Sequence, residues 1–115
     1  MPPRDPRVLL GDILIACDRV TEFVHGMALD QYRSDLRTKG AVERNLAIIG
    51  EAVRLLVELD PLMEAKITHS RRIIATRNVL IHVYHAVSDD IVWDIATDKV
   101  PLLKREIEQI KKGFG

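Results

Sequence analysis

Between Val42 and Leu56 the aliphatic residues Val42, Leu46, Ile49, Val53 and Leu56 recur at intervals of three and four. That spacing draws one apolar stripe along an α-helix and does not fit a half-buried strand, whose inward positions alternate. The helix is expected to end at Asp60-Pro61, because proline drives the residue before it out of the helical region. Gly50 stands inside the stripe. Glycine in a helix interior costs about 1 kcal/mol against alanine, so its presence here points to the close approach of a neighbouring helix rather than to a break.

The same period marks further segments. Val8, Ile13, Ala16, Val20 and Val24 recur at three to five between about Asp5 and Gly26. Pro6 falls in the first turn of that helix, where a missing N–H costs nothing, and Gly26 is placed as its stop. A polar link is expected around Asp30 to Ser34. Another helix is predicted from about Thr68 to His85, then a short one behind Ser88-Asp89-Asp90, a capping serine with two acids set against the helix dipole. Pro101 is expected to restart a last helix, with Leu103, Ile107 and Ile110 facing inward and Lys111, Lys112 and Gly113 closing it. No run alternates with period two over strand length, so the expected architecture is an all-α compact bundle of about five helices.

At 115 residues, 47% hydrophobic and 30% charged, the chain is long enough for one core and too apolar for a disordered polymer, which predicts a single domain over 1–115. Seventeen Lys+Arg balance seventeen Asp+Glu, so a nucleic acid would have to be drawn by a local patch rather than by the field of the whole molecule. Cys17, the single cysteine, excludes an internal disulfide and a multi-cysteine zinc site; within Ile13-Leu14-Ile15-Ala16-Cys17 it reads as a small buried hydrophobe in a reducing compartment. No apolar stretch approaches the roughly 18 residues of a membrane span, and Met1-Pro2-Pro3-Arg4-Asp5 lacks the apolar core of a signal peptide. A cytoplasmic location without membrane association is expected.

Chemistry concentrates in Arg77-Asn78-Val79-Leu80-Ile81-His82-Val83-Tyr84, where an arginine, an amide, an imidazole and a phenol sit among aliphatics. At 100° per residue Ile73, Arg77, Leu80 and Tyr84 fall within about 60° of one another, whereas His82 points roughly 140° away from Arg77. A guanidinium on an apolar face must be paired, line a cleft or reach a subunit boundary, since an unpaired buried charge is very costly. Two readings stay open on spacing alone. In one, Arg77 pairs with an acid such as Glu51 and has a structural role, with Tyr84 a core-edge aromatic and His82 on the surface. In the other, these side chains form a reactive site.

Ala41-Val42-Glu43-Arg44-Asn45-Leu46-Ala47-Ile48-Ile49-Gly50-Glu51-Ala52, the Arg77 to Tyr84 string, Ile91-Val92-Trp93-Asp94-Ile95 and Val100-Pro101-Leu102-Leu103 together resemble the HepT-like branch of the HEPN superfamily. The resemblance covers most of the chain in order. It implies a compact helical domain, a homodimer, and a ribonuclease toxin of a type II/VII-like toxin-antitoxin system. The site it implies is an arginine followed after four to six residues by a histidine. By position Arg77 and His82 take the catalytic roles, Asn78 and Glu51 support the site, and Tyr84 is the tyrosine that a cognate minimal nucleotidyltransferase antitoxin modifies with AMP. A rival from another class is a non-catalytic helical module that binds such a nucleotidyltransferase or a nucleotide.

Metal-free RNA cleavage needs a base for the 2′-OH, an acid for the leaving 5′-oxygen and positive charge on the phosphorane between them. An imidazole suits proton transfer near neutral pH, and a guanidinium offers the phosphate a bidentate fork. One imidazole cannot stand on both sides of phosphorus, so a two-fold dimer would supply the second. Lys66, Arg71 and Arg72, with Arg33, Arg37, Lys39 and Arg44, are candidates for a basic rim, although a solvated charged face is the ordinary reading of each. The apolar face containing Ile73, Leu80 and Ile81 is expected to approach a partner subunit. His69, His82 and His85 lack a convincing acidic third ligand, so no metal and no cofactor are expected. Trp93 is expected in the core or at an interface.

Overall fold

A computed structural model describes residues 5–82 and 88–114. Helix α1 (Pro6–Val24) starts at Asp5, whose carboxylate accepts a hydrogen bond from the backbone N–H of Arg7 at 2.8 Å. The chain turns away at Gly26, whose φ of 74° lies in the left-handed region that a glycine enters without strain. Helix α3 (Leu36–Leu59) is capped by Asp35, which accepts from both the backbone N–H and the hydroxyl of Thr38. It is the central element: α1 packs along it on one side and α5 (Ser70–His82) on another, and α7 (Val100–Lys112) packs on α1. Leu9, Leu10, Ile13, Cys17 and Val20 of α1 meet Val42, Leu46, Ile49, Val53 and Leu56 of α3 in one core, which Leu103 and Ile107 complete from α7. The chain is all-α, with no strand among the described residues.

Three elements differ from the sequence reading. The expected polar link contains a short helix, α2 (Leu29–Ser34), held at its start by the Gln31 side chain accepting from the Ala28 N–H at 2.8 Å. It carries Tyr32, fully buried, whose ring lies 5.3 Å from that of Trp93. A single turn, α4 (Met63–Lys66), follows Pro61 and buries Met63. Pro101 does not begin a separate helix. Helix α6 (Asp89–Asp94) runs through a π-helical turn (Ile95–Lys99) directly into α7. A proline ring collides with the carbonyl four residues back in a regular helix. Here the Val100 N–H instead reaches back five residues to the Ile95 carbonyl, widening the helix just ahead of Pro101.

Ser88 occupies the N-cap position of α6 but makes no side-chain capping bond. The two acids after it tie α6 to the rest of the molecule, Asp89 to Lys39 of α3 at 3.0 Å and Asp90 to Arg33 of α2. No described helix is long and apolar enough to cross a membrane.

Candidate active site

Helices α3 and α5 touch backbone to side-chain stem at Gly50. A Cβ built there would stand 2.2 Å from Cβ of Arg77, 2.9 Å from its Cγ and 3.1 Å from the Ile73 carbonyl oxygen. Gly50 therefore serves close helix approach, and the stem of Arg77 lies in the notch that the missing side chain leaves. Its neighbour in sequence receives the head group: Nη2 of Arg77 forms an ion pair with Oε2 of Glu51 at 2.7 Å, and Nη1 donates a hydrogen bond to Oδ1 of Asn78 at 2.8 Å. The Arg77 side chain is 19% exposed, and its Nε–H is buried without a hydrogen-bond partner among the described residues.

Glu51 is shared. Arg54, one turn further along α3, donates from Nη2 to its Oε1 at 2.6 Å, and also pairs with Glu58. Hydrogen bonding from Arg54 foremost, then the charges of Arg54 and Arg77, holds the Glu51 carboxyl below the usual carboxylate range, against an opposing effect of burial. The pairing of Arg77 with Glu51 is the one expected from the sequence; the second guanidinium on Glu51, Arg54, was not expected, although its i,i+3 spacing from Glu51 is visible there.

Arg77 and Glu51 line a cleft of about 440 Å³ between α1 and α5. Its floor is α3, with Arg44, Ala47 and Ile48 in line with Glu51, and its walls include Asp12 of α1 and Ile81 of α5. The site thus unites three of the five predicted residues, Arg77, Asn78 and Glu51. His82, the last residue of α5 among those described, is exposed and does not line this cleft. The helix stays regular through His82, so the offset of roughly 140° from Arg77 applies to one copy of the chain. Tyr84 and His85 lie outside the described residues.

Of the face expected to approach a partner, Ile73 is buried, Leu80 is half-buried against the core and Ile81 is 46% exposed at the rim of the cleft. Much of the supposed basic rim is already paired: Arg33 with Asp30 and Asp90, Lys39 with Asp89, Arg71 with Glu64, and Arg72 more loosely with Asp94 at 3.8 Å. Arg37, Arg44 and Lys66 make no ion pair among the described residues, and of these Arg44 alone lines the cleft. A wider, shallow concavity of about 560 Å³ at the α4–α5 corner is lined by Glu64, His69, Arg71 and Arg72, away from Arg77. Burial pushes the Cys17 thiol up to about 12, which leaves it a packing residue rather than a nucleophile. Among the described residues no group of three His, Cys, Asp or Glu side chains is placed to hold a metal ion.

Residues 13–110 match the profile of a family described as "Ribonuclease HepT-like". Over 112 residues the chain is 38% identical to "Putative RNase MJ0127" of Methanocaldococcus jannaschii, covering 97% of this chain and 92% of that one. It is 32% identical over 111 residues to "Putative RNase TTE0752" of Caldanaerobacter subterraneus, covering 93% and 95%. To "Probable ribonuclease HepT" of Thermococcus cleftensis it is 29% identical over 109 residues, covering 95% and 98%. No solved structure matches.

Proposed function

The chain belongs to the HepT-like ribonuclease family, and on that premise we propose that it is a metal-independent endoribonuclease whose reacting groups are Arg77 and His82. The observation that carries this reading is the way Arg77 is held. Its stem is locked against Gly50 and its head is aimed by Glu51 and Asn78 on the wall of an open cleft. A guanidinium has five N–H donors. Asn78 takes one and Nε–H is buried, so the remaining Nη donors beside Glu51 can meet phosphate oxygens without the side chain having to be ordered first.

In the proposed reaction the 2′-oxygen loses its proton to a base and attacks phosphorus. The P–O5′ bond breaks, the 5′-oxygen takes a proton from an acid, and the products are a 2′,3′-cyclic phosphate and a 5′-hydroxyl. Arg77 neutralises the charge that builds on the non-bridging oxygens. The protons are moved by His82 of both copies: it lies outside the cleft of its own copy, and a two-fold dimer that apposes the ends of α5 would bring two imidazoles to the phosphate held by Arg77, one as base and the other as acid. Exposed Ile81 beside that cleft supports such an apposition.

The enzyme would act in the cytoplasm as the toxin of a toxin-antitoxin pair. A nucleotidyltransferase antitoxin would silence it by attaching AMP to Tyr84, two residues beyond His82, where phosphate would compete with RNA for Arg77.

Purified protein is expected to cut single-stranded RNA in EDTA and to leave cyclic phosphate ends. His82→Ala is expected to lower the rate at least a hundredfold without changing the melting curve. Failure of the parent to cut, or full activity of His82→Ala, would sink the reading and leave a non-catalytic helical module in its place.

A further inference from the structure

Arg44 has no role in the reaction just described, yet it shares the cleft with Arg77. It is exposed and makes no ion pair among the described residues, whereas Arg33, Lys39, Arg54 and Arg71 all spend their charge on neighbouring acids. Arg44 and Glu51 stand seven residues apart on α3, a rise of roughly 10 Å along one helical face. Ala47 and Ile48 lie between them on the cleft floor. The cleft therefore has a cation at each end of an aliphatic strip.

We propose that this strip is a track for single-stranded RNA, with Arg77 at the scissile phosphate and Arg44 at a flanking phosphate of the same strand. The assignment rests on the ribonuclease reading of Arg77. The roughly 10 Å rise along α3 from Arg44 to Glu51, beside which Arg77 is held, spaces the two cations along a strand, and the apolar floor between them suits a base or ribose rather than a third phosphate. Glu51, at the Arg77 end of the track, is compensated by Arg54 and Arg77. With no net charge on the whole chain, a strand is drawn to the cleft by the local charge of Arg44, which no acid among the described residues pairs. Arg44 is thus a substrate-positioning residue that contacts the backbone without reading sequence.

The test separates binding from cleavage. A labelled single-stranded RNA and a DNA strand of the same sequence, which lacks the attacking 2′-OH, are titrated by fluorescence anisotropy against the parent, Arg44→Ala, Arg44→Lys and Arg105→Ala. Arg105→Ala removes the same charge from exposed α7, outside the cleft. Arg44→Ala is expected to weaken binding of both strands about tenfold, the size of one lost charge-assisted contact. The slope of log affinity against log salt should also become shallower by about 0.7, the value for one phosphate on a single strand. Arg44→Lys should keep the slope, and Arg105→Ala should move neither quantity. In cleavage, Arg44→Ala should raise KM for a long RNA far more than for a dinucleotide. If Arg44→Ala and Arg105→Ala bind and respond to salt alike, the track is wrong while Arg77 chemistry stands. If the parent binds the strands with the Arg44 signature but cuts no RNA, the track survives and the nuclease reading falls. If the parent binds neither strand, both fall.

Discussion

Over the described residues α5 and α7 span 13 residues each, yet they are held in different ways. Helix α7 buries Val100, Leu103, Ile107 and Ile110, a full apolar stripe, and its exposed face is charged. Helix α5 buries only Ser70 and Ile73, and packs mainly on α3. What α5 lacks in apolar burial it gains from the Gly50 notch and the Arg77–Glu51 pair. A guanidinium that must reach a phosphate cannot be sealed under an apolar stripe, so the helix that carries the chemistry is the less anchored one. Helix α7 stabilises the domain so that α5 is free to display the site.

The comparison is broken most directly by cutting both helices alike. Ile107 is fully buried, and Ile107→Ala is expected to cost about 2–5 kcal/mol in denaturant unfolding. Ile81, 46% exposed on α5, should lose no more than about 0.5 kcal/mol on the same change in the monomer. Equal losses would mean that α5 is anchored as firmly as α7.

The next effect is at the notch. Gly50→Ala adds a Cβ that would overlap Cβ of Arg77 at 2.2 Å, an atom fixed to the α5 backbone that no rotamer can move aside. Because that atom cannot move aside, overpacking is expected at the upper end of about 1–3 kcal/mol, and against the gain of about 1 kcal/mol in helix propensity it leaves a net loss of up to about 2 kcal/mol. Amide exchange should speed up along α5 and stay slow in α7. A variant as stable as the parent would show that the helices separate freely and that the notch does not hold Arg77.

This asymmetry sets how far the molecule was legible in its sequence. Helices α1, α3 and α7 carry apolar stripes that period alone reveals, and Gly50 inside one of them announced a close neighbour. Helices α2 and α4 were hidden altogether because six- and four-residue helices are too short to show a period, and they form on a single buried anchor each, Tyr32 and Met63. Pro101 read as a restart because proline normally ends a helix; the π turn that absorbs it leaves no signature of its own in sequence. Within the site, the Arg77–Glu51 contact could be named from the demand that a half-buried guanidinium be paired. The placement of Arg44 on the cleft floor could not, since it depends on α1 and α5 both flanking the same face of α3. Nor could the sorting of the basic rim, because its partners Asp89 and Asp90 are remote in sequence and meet it only in the fold.

The smallest expected effect concerns the pair that replaces apolar burial on α5. Glu51 has its carboxyl depressed below the ordinary value, so the charged form is favoured by folding. The stability this lends is present above the ordinary carboxylate range and is lost as pH falls through the depressed folded-state value. Glu51→Gln keeps an acceptor for Arg77 but cannot titrate, so the parent's advantage over the variant should be greatest near neutral pH and vanish in strong acid. Glu51 and Arg54 are both partly open to water, and solvent screening confines the difference to within about 1 kcal/mol, reduced further in molar salt. Parallel pH titrations of unfolding for the two proteins read it directly. A difference that stays constant from neutral pH into strong acid would mean that the Glu51 charge does not hold α5, and that the notch at Gly50 alone sets the position of Arg77.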